Sequence, residues 1–328
     1  MSNETWDRRR FIRAATAGGA ALAFGRAADA ALPDTIRFVV SYVPGGASDI
    51  LARSLANGLA QRSNRTVIVE NKPGAGGLVA FQTTKTAPAD GSVLFISSAA
   101  SIIQSIKPSN KVRLERDFTP IILTHRGHFT LFSNASVPAT TLKELVAYDR
   151  ANPGKLSYAS FGVGAQTHLS MELLKQKTGM TLTHVPYKSN AEAIMSVVKG
   201  ETHVSFNPFS GIKQHIDAGR IRALAVTSAG RSTYAPGVPG MRESGVEGYD
   251  VSFWFGWNAP AGTPDATAEW LNQQLNELLR EPAAQAIIRD QFGADTVGGS
   301  RADFGRHIAS EMQVYEDLIR TAYIKLDD

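Results

Sequence analysis

The chain has 328 residues, 43% hydrophobic and 20% charged, the balance of a soluble globular protein with room for two domains, and this excludes a disordered chain. Its formal charge of +4 sits partly in the first 30 residues, where five arginines face three acids, so the remainder is too weakly basic to argue for nucleic acid. Cysteine is absent, which excludes disulfides and a lipid-bearing cysteine; no later run approaches the roughly 20 apolar residues that cross a bilayer.

Residues 1–30 read as an export leader. Arg8, Arg9 and Arg10 precede Phe11-Ile12, a small-residue, mildly apolar run follows from Ala14 to Phe24, and Ala28-Asp29-Ala30 has the A-x-A form of a cleavage site. The paired arginines are similar to a twin-arginine signal, although Asp7 stands where such signals carry Ser or Thr, so the general secretory route stays open. The mature chain is expected to begin at Ala31, in the periplasm.

Beyond the leader, β-rich runs alternate with helical patterns, the grammar of parallel sheets with covering helices. A strand is predicted over 35–42, then the turn Pro44-Gly45-Gly46, then a helix opened by Ser48-Asp49 with Leu51, Leu55 and Leu59 on one face. Such a strand–glycine–helix junction aims free backbone N–H groups and a positive dipole end at an anion, yet it matches neither the P-loop nor the G-x-G-x-x-G spacing. A second strand over 66–69 ends in the glycine turn 73–77, a helix follows over 78–86, and a third strand over 93–97 ends at Ser97-Ser98. Three strands thus end in small or glycine-rich loops, and carboxyl ends of strands are where ligands collect in open α/β sheets.

Residues 101–119 look irregular and charged. Two short strands are predicted over 121–123 and 129–132, separated by the polar interval His125-Arg126-Gly127-His128. A second alternating set follows: helix 142–150, strand 156–160, the glycine loop 161–166, helix 167–177, strand 182–185, helix 191–199, a strand around Val204 and Phe206 broken by Asn207-Pro208, helix 212–218 and strand 221–227. The aromatic stretch 251–259, with Trp254 and Trp257 assigned to hinge or core packing, returns the chain to its first unit. Helices over 266–280, 283–291 and 302–325 complete that unit, with a short strand near Thr296. The expected organisation is α/β, a first lobe of 31–124 plus 252–328 and a second of 125–251, hinged around a cleft.

The order of IRFVVSYVPGGASDILAR, VIVENKPGAGG, APADGSVLFISS, ANPGKLSYASFGVGAQTHLSMELLK, LTHVPYKS, AGRIRALAVTSAGRS, ESGVEGYDVSFWFGWNAPAGTP and the C-terminal helices resembles the tripartite tricarboxylate transporter receptors, the Bug or TctC family of extracytoplasmic solute-binding proteins. The resemblance implies a two-lobed, type II periplasmic-binding-protein-like fold with two parallel or mixed sheets, no catalysis, and capture of a small carboxylate between the lobes. It implies delivery to the membrane permease subunits of a tripartite transporter by a monomeric receptor. Carried over by position, the ligand-binding candidates are Tyr42, Gly45, Gly46, Ser48, Asp49, Gly77, Ser97 and Ser98 in the first lobe. Those in the second are Ser160, Gly162, Gly164, Gln166, Thr167, His168, Tyr187 and Asn207.

Ala165, Val163 and the pair Asn207-Pro208 depart from the residues the family often carries there (Ser, a polar residue and Asp-Asn); the missing acid at position 207 favours a ligand without an ammonium group or with an extra carboxylate. Asp49 can be a helix cap or an acceptor for ligand, His168 a structural histidine or a donor, and Tyr187 a cleft wall or a packing residue; Lys188 reads as a solvated loop lysine. No cofactor or metal is expected: the seven histidines are scattered, and His125 and His128 have no carboxylate or cysteine at ligand spacing. There is no G-x-S-x-G elbow and no matched acid pair. The alternatives kept are an exported enzyme using His168 and Asp49 as acid and base, and a sensor feeding a membrane kinase.

Overall fold

The computed structural model describes residues 33–321 together with Ile324 and Leu326; the predicted leader and its cleavage point lie outside the described residues. Parallel strands β1 (Thr35–Val40), β2 (Thr66–Asn71) and β3 (Val93–Ser98) form one half-sheet in the order β2-β1-β3. Between them run helices α1 (Ala47–Ser63) and α2 (Leu78–Lys85), and α3 (Ala99–Ile106) leaves directly from the end of β3. The 3.6-residue apolar spacing of α1 does what it predicts: Leu51, Leu55 and Leu59 are buried together with Ile36, Phe38 and Val40 of β1. Of the interval 101–119, expected to be irregular, the start belongs to α3, because Ile102 and Ile103 are buried in the core, and the end belongs to the next strand; only 107–117 lacks long elements, with the single turn α4 (Leu114–Asp117).

The two predicted strands around His125–His128 are one. β4 runs unbroken from Phe118 to Asn134. Its polar middle is held by pairing that local sequence does not reveal: β9 (Ser252–Pro260) on one edge, and β10 (Ala294–Thr296) opposite His125–Gly127 on the other. Its second half pairs with β7 (Val204–Pro208) and β8 (Ile221–Val226), and β7 continues to β5 (Ser157–Ser160) and β6 (Thr183–Pro186). β4 therefore belongs to both half-sheets, and ten strands form one curled, mixed sheet.

Helices α5 (Leu142–Ala151), α6 (Gln166–Thr178), α7 (Asn190–Lys199) and α8 (Phe209–Asp217) cover the second half-sheet. After β9 the chain adds α9 (Asp265–Leu279), α10 (Pro282–Ile287) and α11 (Arg301–Thr321) to the first. Trp254 and Trp257 of β9 are fully buried, Trp257 against Phe38 and Trp254 donating its ring N–H to Glu311 of α11 at 3.0 Å, so both pack the core at the crossing.

Candidate functional site

Two strand-to-helix junctions dominate the geometry, one in each half. In the first, Gly45 takes φ +80°, a left-handed conformation that favours glycine, and Gly46 takes the extended conformation of an N-cap before α1. Asp49, three residues into the helix, turns its carboxylate back on the turn. Oδ2 accepts from the Gly45 N–H at 2.9 Å and from Arg53 Nε at 2.9 Å, while Oδ1 accepts from Asn71 Nδ2 at 2.9 Å. Burial works to raise this carboxyl, but the donors Arg53, Gly45 and Asn71 outweigh it and hold the group down at about 2. Asn71 also donates to the Tyr42 carbonyl at 3.1 Å, so Asp49 fixes the ends of β1 and β2 as well as the turn.

With Asp49 occupied in this way, the N–H groups of Gly46, Ala47 and Ser48 have no acceptor among the described residues, and neither does the Ser48 hydroxyl. Beside them, the Tyr42 hydroxyl shares a 3.2 Å hydrogen bond with Ser98 Oγ, which also accepts from Ala100 N–H as the N-cap of α3. Burial pushes the Tyr42 phenol above its usual range, which keeps it a neutral donor. Gly77 lies against Ser41: a Cβ added to the glycine would stand only 3.4 Å from the serine Cβ. Ser97 turns the other way: its hydroxyl is buried in the sheet, donating to Asn258 Oδ1 at 2.5 Å.

The second junction repeats the geometry with different chemistry. Gly164 takes φ +73° and Ala165 the extended N-cap conformation, and His168, again three residues into the helix, reaches back. Its Nδ1 accepts from the Gly164 N–H at 3.0 Å, which leaves the ring proton on Nε2. Ser160 Oγ accepts from the Gly162 N–H at 3.1 Å and shares a 2.7 Å hydrogen bond with His184 Nε2. Thr167 Oγ1 accepts from Phe161 N–H at 3.3 Å. The His168 and His184 rings stack at 4.1 Å, and Tyr158 lies nearly parallel to both, 4.8 Å from His184 and 6.4 Å from His168. Burial, ahead of any charge, lowers both imidazoles, His184 to about 4. The N–H groups of Val163, Gln166 and Thr167 have no acceptor among the described residues.

The remaining second-half candidates are placed unequally. Tyr187 donates its N–H to the Ser160 carbonyl at 2.9 Å, beside the loop, and its hydroxyl has no partner among the described residues. Asn207 is fully buried in β7 and donates to the Pro208 carbonyl at 3.2 Å. Gln166 donates to the Ser252 carbonyl of β9 at 2.7 Å, tying the start of α6 to the crossing strand. The halves also meet where Gly164 approaches Ile103 of α3 and Leu326, and where Leu169 of α6 is buried with Ile102 and Ile103. Arg53, Asn71 and His184 were absent from the sequence-based candidates. Arg53 could have been found from its i,i+4 spacing to Asp49; the other two are brought in by strand pairing.

Paired half-sheets sharing the long strand β4, with a glycine turn and helix N-terminus at the carboxyl edge of each, define a two-lobed periplasmic binding protein of type II. The chain belongs to the tripartite tricarboxylate transporter receptor family: residues 51–323 match the model of the tripartite tricarboxylate transporter family receptor TctC. BugT of Bordetella pertussis is 32% identical over 294 residues, spanning 89% of this chain and 90% of its own. An R. palustris protein solved with adipate superposes with a TM-score of 0.78 at 32% identity, covering 88% of this chain and 97% of that one. The periplasmic binding protein BugD superposes with a TM-score of 0.75 at 29% identity, over 89% and 98%. The family is one of periplasmic solute-binding receptors.

Proposed function

We propose that this chain is an exported receptor that captures a small di- or tricarboxylate, or a related organic acid, between two lobes and hands it to the permease subunits of a tripartite transporter. The lobes of this reading are residues 31–124 with 252–328, and residues 125–251, hinged where β4 and β9 carry the chain between them. The observation that carries this reading is the matched pair of helix N-termini, each with unpaired N–H groups beside a glycine that its own helix holds in place. Amides and helix dipoles favour a carboxylate over a neutral solute, and two such ends suit a ligand charged at more than one point. The adipate bound to the R. palustris relative is a molecule of that kind.

Binding without turnover is supported by where the two acid–base candidates are spent. Asp49 is buried and ionised with three donors on it, and the Nδ1 lone pair of His168 is occupied by a backbone N–H. Neither has the open proton site that general acid–base chemistry requires. Two lobes that each contribute donors to one anion also account for closure, because the closed state gains contacts the open one lacks.

A thermal-shift and calorimetric screen of mono-, di- and tricarboxylates against neutral sugars tests this, together with identification of any co-purifying ligand. Stabilisation by dicarboxylates and not by sugars is expected. A sugar that stabilises while every carboxylate fails overturns the assignment.

A further inference from the structure

The second glycine loop is held by two neutral histidines, and one of them, His184, lies on β6, a strand away from the loop. We propose that His184 is a positioning residue that, with His168, sets the second anion-binding loop and makes its order sensitive to acid. This rests on the receptor reading for its consequence in binding, but not for its consequence in the loop.

The geometry has two arms. His168 Nδ1 accepts the Gly164 N–H directly, and a protonated ring cannot accept. His184 acts through Ser160, whose hydroxyl takes the Gly162 N–H at 3.1 Å. The two arms therefore pin the two glycines on either side of Val163. The rings lie nearly parallel, 10° apart at 4.1 Å, so two imidazolium charges would face each other at contact distance.

The charged groups facing the stack come from α6, and they offer little relief. Glu172 accepts from the Tyr158 hydroxyl at 2.6 Å and from Lys175 Nζ at 2.7 Å, so its charge is largely matched. Lys175 lies over the Tyr158 ring at 5.6 Å and opposes any second positive charge nearby. From β5, Tyr158 contributes a neutral phenol, pushed far up by burial and by its carboxylate neighbour.

The sign follows from linkage. A histidine lowered in the ordered loop favours that loop fully above its free value of 6.5, and the advantage fades as pH falls toward its ordered value, about 4 for His184. Between pH 7 and pH 5 the most that such a group shifts the loop toward its open form is about 20-fold, reached where opening fully solvates the ring.

Amide exchange of the segment 160–168, read against β3 in the same protein, is the test. In the wild type, protection of 160–168 should fall more than 3-fold, and up to about 20-fold, relative to β3 from pH 7 to pH 5. In the double variant His168→Asn, His184→Gln, whose amides replace Nδ1 and Nε2 without titrating, it should change less than 3-fold. His168→Ala should lose protection already at pH 7 and His168→Asn should restore it. Titration with adipate at pH 7.5 should show His184→Ala about 10-fold weaker than wild type, with His184→Gln recovering most of the loss. A double variant that follows the wild-type pH profile, or a His168→Ala loop as protected as wild type, overturns the proposal. If the exchange results hold while no protein binds any carboxylate, the receptor reading falls and the positioning role stands.

Discussion

The two glycine turns solve one geometric problem with opposite electrostatics. In both, a glycine of positive φ precedes the N-cap, and the residue three positions into the helix accepts that glycine's N–H across four residues. The first turn uses an ionised carboxylate, Asp49, with Arg53 beside it; the second uses a neutral ring, His168, stacked on another. The difference lies in what each can tolerate. Asp49, held at about 2 against an ordinary 3.8, supports its turn at every pH above about 3.8 and withdraws that support only as pH falls from there toward 2. The histidine pair withdraws its support in the window below 6.5. The first turn is therefore insensitive to pH above about 3.8, whereas the proposed role of the histidines makes the second yield to mild acid.

The sharpest way to break this comparison is to remove each anchor. Asp49→Ala removes a buried carboxylate that accepts from the Gly45 N–H, the Asn71 amide and Arg53, and a hydrogen bond to a charged group contributes roughly 1.5–3 kcal/mol. A loss of about 3 kcal/mol is expected in urea unfolding. His168→Ala orphans one backbone N–H and removes one ring from a stack, for about 2 kcal/mol. Equal losses, or a larger one at His168, would mean the carboxylate network is not the stronger anchor.

The glycines themselves should rank the other way. An alanine at Gly45 meets nothing within 4 Å, so Gly45→Ala carries only the left-handed backbone cost, about 1 kcal/mol. At Gly164 the same backbone cost is joined by Leu326 Cδ2 at 3.1 Å, and Gly164→Ala should lose about 2 kcal/mol. Denaturation midpoints at constant m-value would show it, and a Gly45 variant less stable than the Gly164 variant would contradict the open space around the first turn.

Much of this was legible in the sequence alone. Glycine at 45 and 164 announces positive φ, and Leu51, Leu55 and Leu59 announce the buried face of α1, because both signals are local. The continuity of β4 was not legible. His125-Arg126-Gly127-His128 reads as a polar break until β9 and β10 supply the ladder on both sides, and that pairing joins residues more than a hundred positions apart. The same limit applied at the site. In sequence, Asp49 stood between cap and ligand contact and His168 between structural histidine and donor, and only the path of the preceding glycine shows both carboxylate and imidazole turned back on the backbone. His184 was unremarkable within a predicted strand; its role comes from the β5–β6 register that places Tyr158 opposite it and Ser160 two residues on.

The smallest expected effect on stability separates the second residues of the two helices. Ser48 and Thr167 occupy the same position after their N-caps, and both are buried, but their hydroxyls differ in employment. Thr167 Oγ1 accepts the Phe161 N–H, so Thr167→Val removes a structural hydrogen bond and should cost about 1 kcal/mol. The Ser48 hydroxyl has no partner among the described residues, so Ser48→Ala should leave the unfolding midpoint within about 0.5 kcal/mol of wild type. If the first turn receives the ligand carboxylate, the same substitution removes a charge-assisted hydrogen bond and should weaken dicarboxylate binding about 10-fold, near 1.4 kcal/mol. Calorimetry and urea unfolding on the two variants together form the check. A Ser48→Ala protein that loses stability but not affinity would show that hydroxyl to be part of the scaffold, and would move the first lobe's share of recognition onto the bare amides of Gly46, Ala47 and Ser48.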